Sequence, residues 1–235
     1  MDKLDELKMR IYGAEVLRIM KNFYSYDVLS SLTGLSPQIL SRYVTGHFLP
    51  SLDRAKNFVE VFKKRILKEA LLRNIEVRDN VVVNIKLLSN ARLLSQLAKV
   101  VAVEFMNLKV SVVLTKETDG IPLATFVAGE LNARLVIAKQ RKEVGVENFI
   151  EVKQVFPSGV YSYIYIPKEL LPRGSNVLIV DDIIRSGSTV RALIEACNLM
   201  KAHVVGIYTI LAIGEGIKRI EKDYKVPIKA LLYLK

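Results

Sequence analysis

The stretch Val177–Thr189, VLIVDDIIRSGST, decides the fold. Its first four residues are apolar throughout, as a strand buried on both faces of a parallel sheet requires. Asp181 and Asp182 follow at the C-terminal end of that strand, then a run of small residues, then helical spacing from about Ser188. In open α/β sheets, ligands bind beyond the carboxyl ends of the strands. A loop that enters a helix N-terminus offers free N–H groups and the positive end of the helix dipole, which together suit a phosphate. Ser186, Gly187, Ser188 and Thr189 are small enough for the backbone to close on such an anion. Two adjacent carboxylates can accept hydrogen bonds from the vicinal hydroxyls of a ribose. Taken alone, the strand, acidic pair, loop and helix also fit a metal site, a response-regulator site or a structural turn.

Outward from this segment, short β-branched runs alternate with helical stretches. The runs are VVVNI (81–85), VSVVL (110–114), ARLVIA (133–138), VYSYIYI (160–166), NVLIVD (176–181), HVVGIYTIL (203–211) and IKALLYL (228–234). Helical spacing lies near 89–107, 121–132 and 188–201. This alternation predicts an α/β domain with a mainly parallel sheet over 76–235. Residues 1–75 read as helical throughout. Ile11, Ala14, Val16, Leu17 and Met20 fit one amphipathic helix, with Val16 imperfectly placed. Phe58, Val61, Phe62, Ile66 and Leu67 fit another. The seam is expected between Arg73 and Asn80, where polar residues interrupt the pattern.

Charge separates the two parts further. The chain of 235 residues carries 35 Lys and Arg against 24 Asp and Glu, net +11. Residues 1–75 hold 13 basic and 8 acidic side chains (net +5), the remainder 22 and 16 (net +6). The smaller part is thus nearly twice as basic per residue. Such a balance favours nucleic acid, phosphorylated metabolites or an anionic surface. Cys197 is the only cysteine, which excludes an intrachain disulfide and a Cys-based metal site and suits a reducing cytoplasm. The charged start MDKLDELKMR lacks the apolar core of a secretory signal. No apolar run reaches the length of a membrane span.

In the smaller part, YDVLSSLTGLSPQILSRYVTGHFLPS (26–51) carries a second pattern. With Gly34 in a turn, Leu29, Leu35, Leu40 and Tyr43 fall where two short helices pack together, and Ser30 is small enough for close approach. Ser36 and Pro37 are the expected N-cap and first residue of the second helix. Its outer face would carry Gln38, Ile39, Ser41 and Arg42. Gln can read adenine, and Arg can read guanine or grip phosphate. The segment resembles the repressor-type helix-turn-helix family, which makes Ser36, Gln38, Ile39, Ser41 and Arg42 the candidate DNA contacts. A helical bundle used for dimerisation is the competing expectation.

The thirteen residues from Val177 resemble the phosphoribosyl pyrophosphate motif of type I phosphoribosyltransferases. That resemblance assigns Asp181 and Asp182 to the 2′- and 3′-hydroxyls of ribose, and Arg185, Ser186, Gly187, Ser188 and Thr189 to its 5-phosphate. TKETDGIPLA (115–124) sits where that family has its pyrophosphate loop, so Thr115, Lys116, Glu117, Thr118 and Asp119 join the candidate site. AKQRKE (138–143) is similar to the basic segment ahead of the family's mobile loop, so Lys139, Arg141 and Lys142 are expected to neutralise a pyrophosphate. Mg²⁺ is the expected companion of such a ligand, and 142–158 the expected mobile segment. PSGVYSYIYIPKELLPRGSN (157–176) and LAIGEG (211–216) are similar to the bacterial purine repressors, the former also to xanthine phosphoribosyltransferases.

Two departures bear on activity. Arg185 stands where enzymes of that family often carry a base, and Arg cannot act as one. The pyrophosphate loop holds Glu117 and Asp119 rather than a glycine-rich run. Acidic groups there oppose an anion unless Mg²⁺ bridges them. Neither departure excludes binding, but both weigh against rapid turnover, because catalysis needs stabilisation specific to the transition state. A helix-turn-helix ahead of such a domain resembles the archaeal GfcR-type regulators. That implies a homodimeric, cytoplasmic transcription regulator that binds duplex DNA and responds to phosphoribosyl pyrophosphate or a related phosphorylated sugar or nucleotide. A purine or pyrimidine phosphoribosyltransferase with an accessory domain, a bifunctional regulator and an RNA-binding protein are the alternatives.

Overall fold

The computed structural model describes residues 3–78 and 81–234. The first two residues of the charged N-terminal segment, Asp79 and Asn80 in the expected seam, and Lys235 lie outside the described residues. The chain forms two compact units, Met1–Ser89 and Asn90–Lys235. The division falls beyond the expected seam.

The first unit opens with α1 (Lys3–Lys21), α2 (Tyr26–Thr33) and α3 (Pro37–Val44). Ser25 caps α2, its Oγ accepting from the Val28 N–H at 3.3 Å. Gly34 ends α2 in the left-handed region at φ 71°, where a side chain would be strained. Ser36 occupies the N-cap position of α3 with Pro37 following, but the Ser36 side chain makes no capping bond. A long helix then runs through α4 (Leu52–Phe62), a π turn at Lys63–Leu67 and α5 (Lys68–Arg73). Leu29, Leu40, Tyr43, Phe58, Phe62 and Leu67 are buried. Along α1 the buried face is Met9, Tyr12, Gly13, Val16, Leu17 and Met20. Ile11, expected inward, is 41% exposed, so the buried stripe is rotated from the one expected. A short antiparallel pair, β1 (Glu76–Arg78) and β2 (Val81–Val83), and α6 (Ile85–Leu88) complete this unit.

The second unit begins with α7 (Ala91–Phe105), β3 (Val112–Lys116), α8 (Ile121–Leu131) and β4 (Arg134–Ala138). A hairpin of β5 (Phe149–Val155) and β6 (Tyr161–Pro167) precedes β7 (Asn176–Ile184), α9 (Ser188–Leu199), β8 (His203–Ile213), α10 (Gly216–Asp223) and β9 (Ile228–Leu234). The sheet runs β4-β3-β7-β8-β9, all parallel. Leu114, Val177, Ile179, Val190, Leu193 and Cys197 share one buried cluster with Ile150, Val152, Ile164 and Ile166 of the hairpin. The alternate strand residues Val113, Leu178 and Val180 are buried too, so both sheet faces are covered, as parallel strands demand. Burial of each such side chain is worth about 1.5–3 kcal/mol. Burial also pushes the Cys197 thiol up to about 12.

Within 142–158, the segment expected to be mobile, Phe149–Val155 form β5, paired along its whole length with β6. The backbones of Lys139 and Tyr165 exchange hydrogen bonds of 3.0 and 2.8 Å and so hang the hairpin from the end of β4. No helix among the described residues is long and apolar enough to cross a membrane.

Candidate functional site

The chain leaves β3 toward β4 on one side and leaves β7 toward β8 on the other. The carboxyl ends of β3 and β7 therefore meet at the topological switch point, where open α/β sheets hold ligands. Thr115 and Lys116 end β3, and Asp181 and Asp182 lie near the end of β7. Asp181 is only 7% exposed, and its Oδ1 accepts from the Asp182 N–H at 3.0 Å. Burial first, then the charge of Asp182, raise the Asp181 carboxyl well above the usual range, while Lys116 works against both. Thr209 on β8 donates to the Asp182 carbonyl at 3.0 Å and fixes the backbone between the two strands.

Beyond the acidic pair the chain folds into a tight loop over α9. Gly187 precedes the helix in the left-handed region at φ 80°. The Ser188 N–H donates to Ser186 Oγ at 3.3 Å, while the amides of Thr189 and Val190, in the first helical turn, have no partner within the helix. Arg185, Ser186, Gly187, Ser188 and Thr189 line a cleft of about 280 Å³ together with Asp181 and Phe156. Gly187 is needed for its backbone and for packing: a Cβ there would lie 2.7 Å from Ile220 Cδ1 on α10. The neighbour that excludes a side chain is thus α10, which the sequence reading did not anticipate. Arg185 is exposed and belongs to the lining of this cleft.

A second cleft, of about 330 Å³, adjoins the first and shares Asp181 and Thr189 with it. Lys116, Glu117, Thr118, Asp119, Gly120, Gln140 and Asp182 line it. The Glu117–Thr118 peptide is cis. Glu117 folds back to accept from the Gln140 N–H at 2.6 Å, so its carboxylate ties the loop to the end of β4. A Cβ at Gly120 would come within 2.3 Å of Thr115 Oγ1 and 3.1 Å of Asp181 Oδ1. Thr115 is itself fully buried. Burial holds the Lys116 ammonium below its ordinary pKa, and Asp181 and Glu117 partly offset this.

Arg141 and Lys142 stand apart from both clefts. They are exposed and line a neighbouring polar recess with Glu117, Lys139, Gln140 and Glu143. Lys142 pairs with Glu151 at 3.3 Å and lies over the Tyr165 ring at 5.2 Å.

Several residues at the site were not anticipated, Gln154 above all. Gln154, on β5, is 1% exposed. Its amide oxygen accepts from Lys116 Nζ at 2.9 Å, and its amide nitrogen donates to Ser188 Oγ at 3.3 Å and Thr189 Oγ1 at 3.1 Å. The available signal was alternation: Ile150, Val152 and Gln154 share the inward face of β5, and a polar residue there needs partners.

A divalent cation fits the second cleft only with help from a ligand. No cluster of three or more His, Cys, Asp or Glu able to hold a metal exists among the described residues. Asp119, Asp181 and Asp182 nevertheless line the cleft. Mg²⁺ is commonly held by one or two carboxylates plus phosphate oxygens, so this arrangement suits an ion delivered with a pyrophosphate.

In the first unit, the candidate residues lie on and just before α3. Gln38 and Arg42 are exposed, Ile39 and Ser41 half-buried, and Ser36 exposed at the helix start. Arg42 stacks over the Phe48 ring at 4.8 Å. Tyr43 is core, its hydroxyl accepting from Arg54 at 2.6 Å. Arg10 and Arg18 donate to the carbonyls of Pro50 and Val44, which anchors the chain that follows α3.

A doubly wound parallel sheet with an acidic pair and an anion-type loop at its switch point defines an α/β protein of the type I phosphoribosyltransferase class. The phosphoribosyl transferase domain family matches residues 86–230, and the chain belongs to that family. A probable purine biosynthesis transcriptional regulator PurR of Streptococcus pneumoniae is 30% identical over 145 residues, 61% of this chain and 53% of that protein. The purine biosynthesis transcriptional repressor PurR of Bacillus subtilis is 31% identical over 140 residues, 59% of this chain and 49% of the repressor. A xanthine phosphoribosyltransferase of Lactococcus lactis is 30% identical over 118 residues, 49% and 60%. The chain spans about half the length of the two regulators. Among solved structures, the adenine phosphoribosyltransferase of Rhodothermus marinus superposes with a TM-score of 0.64 at 20% identity, over 72% of this chain and 98% of that one. That of Thermoanaerobacter pseudethanolicus gives 0.63 at 17%, over 71% and 99%. At such identities these two establish the fold alone.

Proposed function

We propose that this protein is a DNA-binding transcription regulator of the GfcR type, with a phosphoribosyltransferase domain that senses phosphoribosyl pyrophosphate or a related phosphorylated sugar or nucleotide. The observation that carries the reading is the α2–Gly34–α3 turn, with Gln38 and Arg42 on its outer face, in the same chain as a phosphoribosyltransferase domain. We read that turn as a helix-turn-helix, with Ser36, Gln38, Ile39, Ser41 and Arg42 meeting DNA. The similarity to purine repressors supports the same conclusion.

In this reading Asp181 and Asp182 accept from the ribose hydroxyls. Arg185 and residues 186–189 hold the 5-phosphate. Thr115, Lys116, Glu117, Thr118 and Asp119 surround the pyrophosphate, with Mg²⁺ arriving on the ligand and Arg141 and Lys142 supplying charge from the adjoining recess. The active form is a cytoplasmic homodimer, since helix-turn-helix proteins read two half-sites one helical turn apart. A ligand shifts DNA affinity only through a preference for one state, about 1.4 kcal/mol per tenfold change.

The second reading is an active purine or pyrimidine phosphoribosyltransferase, favoured by the intact acidic pair and the xanthine phosphoribosyltransferase relatives. Arg185 weighs against it, because a guanidinium cannot take a proton from a nucleobase. Fluorescence anisotropy with operator DNA, titrated with phosphoribosyl pyrophosphate and purine nucleotides in Mg²⁺, tests the first reading. An affinity that none of them changes sinks it. Pyrophosphate release with adenine, guanine, hypoxanthine, xanthine, uracil or orotate would establish the second.

A further inference from the structure

Gln154 stands between two loops that are remote in sequence. Lys116 closes β3, and Ser188 and Thr189 open α9, yet one amide touches all three. The chemistry fixes which way the amide points. An ammonium has three donors and no acceptor, so the amide oxygen faces Lys116 and the NH₂ group faces the two hydroxyls. The NH₂ group then spends both of its protons on Ser188 and Thr189. Ser188 Oγ also accepts from Ser186 Oγ at 3.2 Å. With two bonds accepted, what Ser188 has left is its own proton. Thr189 likewise keeps its proton while accepting from the amide. Both residues line the first cleft, and Thr189 lines the second as well.

We propose that Gln154 is a positioning residue that sets both ends of the site at once, turning the Ser188 and Thr189 protons toward a phosphate while holding Lys116 toward a pyrophosphate. Gln154 itself lines neither cleft. Its place on β5, in the hairpin hung from β4, makes this hairpin part of the binding machinery. The inference rests on the phosphoribosyl reading of the site.

The test uses the full-length protein in Mg²⁺ and calorimetry with two separate probes, ribose 5-phosphate and inorganic pyrophosphate. Gln154→Leu keeps the volume and removes every polar contact. It is expected to weaken both probes about tenfold, equal to about 1.4 kcal/mol each. Gln154→Glu keeps the shape and an acceptor for Lys116 but cannot donate, so the hydroxyl protons turn to the new carboxylate. It is expected to weaken ribose 5-phosphate at least as much and, because its carboxylate neutralises Lys116, to weaken pyrophosphate too, and it carries the test if the leucine variant does not fold. A loss at one end only, or at neither, overturns the bridging role while leaving the site reading intact. Wild-type protein that binds neither probe ends both.

Discussion

Gly216, the first residue of α10, lies against the carbonyl of Arg185: a Cβ on residue 216 would sit 2.0 Å from that oxygen. The loop that lines the first cleft is therefore shaped from behind by the turn that follows β8. Gly187 meets Ile220 on the same helix, and Arg191 on α9 pairs with Asp223 at its end. Gly216→Ala should displace the Arg185 backbone, cost about 1–3 kcal/mol of stability as overpacking does, and weaken ribose 5-phosphate. Thermal melting and calorimetry check this. Unchanged affinity for the sugar phosphate would mean that α10 does not shape the loop.

Asp181 binds its proton more tightly in the folded chain than in the unfolded one, for burial and Asp182 both oppose its charge. Its contribution to stability is therefore complete below the ordinary value of 3.8 and is lost as pH rises through the folded value. Asp181→Asn removes that loss. Its melting temperature should exceed the wild-type value at about pH 8, and the gap should close as pH falls toward about 4. The same variant should lose its response to a ribose-bearing ligand. A gap that stays constant with pH would show that the carboxyl is not held protonated by its surroundings.

Arg185 is exposed at the mouth of the first cleft. Arg185→Ala should weaken ribose 5-phosphate several-fold, with the difference from wild type shrinking as salt is raised, since exposed charges are screened within a Debye length of about 8–10 Å. A loss that salt does not touch would point to packing instead.

Arg42→Ala and Gln38→Ala should each weaken operator binding by about 1–3 kcal/mol if they read bases, with ribose 5-phosphate affinity untouched. A salt titration separates the roles. Loss of a phosphate contact lowers the slope of log K against log salt by about one, whereas loss of a base contact does not. Operator binding unchanged in both variants would remove α3 from the DNA interface.

How much of this was legible in the sequence depended on how local each signal is. The parallel sheet announces itself because its central strands, buried on both faces, must be apolar, as VLIV at 177–180 is. The acidic pair and the loop over α9 are contiguous residues, so thirteen letters carry them. β5 escaped because Glu151 and Lys153 alternate with its buried residues, which makes FIEVKQV look like part of a charged loop. α10 escaped because GIKRIEKD buries only Gly216, Ile217 and Ile220. Ile11 was expected inward because a single sequence cannot say which of two overlapping apolar stripes finds a partner, and Met9, Tyr12 and Gly13 took that face. Gln154 was out of reach for a different reason: its partners are 34 to 38 residues away in sequence, and tertiary folding alone brings them together.

Cys197 turns the buried face of α9 into a clock. The thiolate is the reactive form, and both burial and the raised pKa, about 12, hold it back, so alkylation of the intact protein must wait for α9 to lift from the sheet. With one sulfhydryl in the chain, the labelling rate reports that opening without assignment. α9 begins at the anion loop, so a ligand seated there should slow the clock by the factor through which it stabilises the closed helix, and occupancy could be followed with no DNA present.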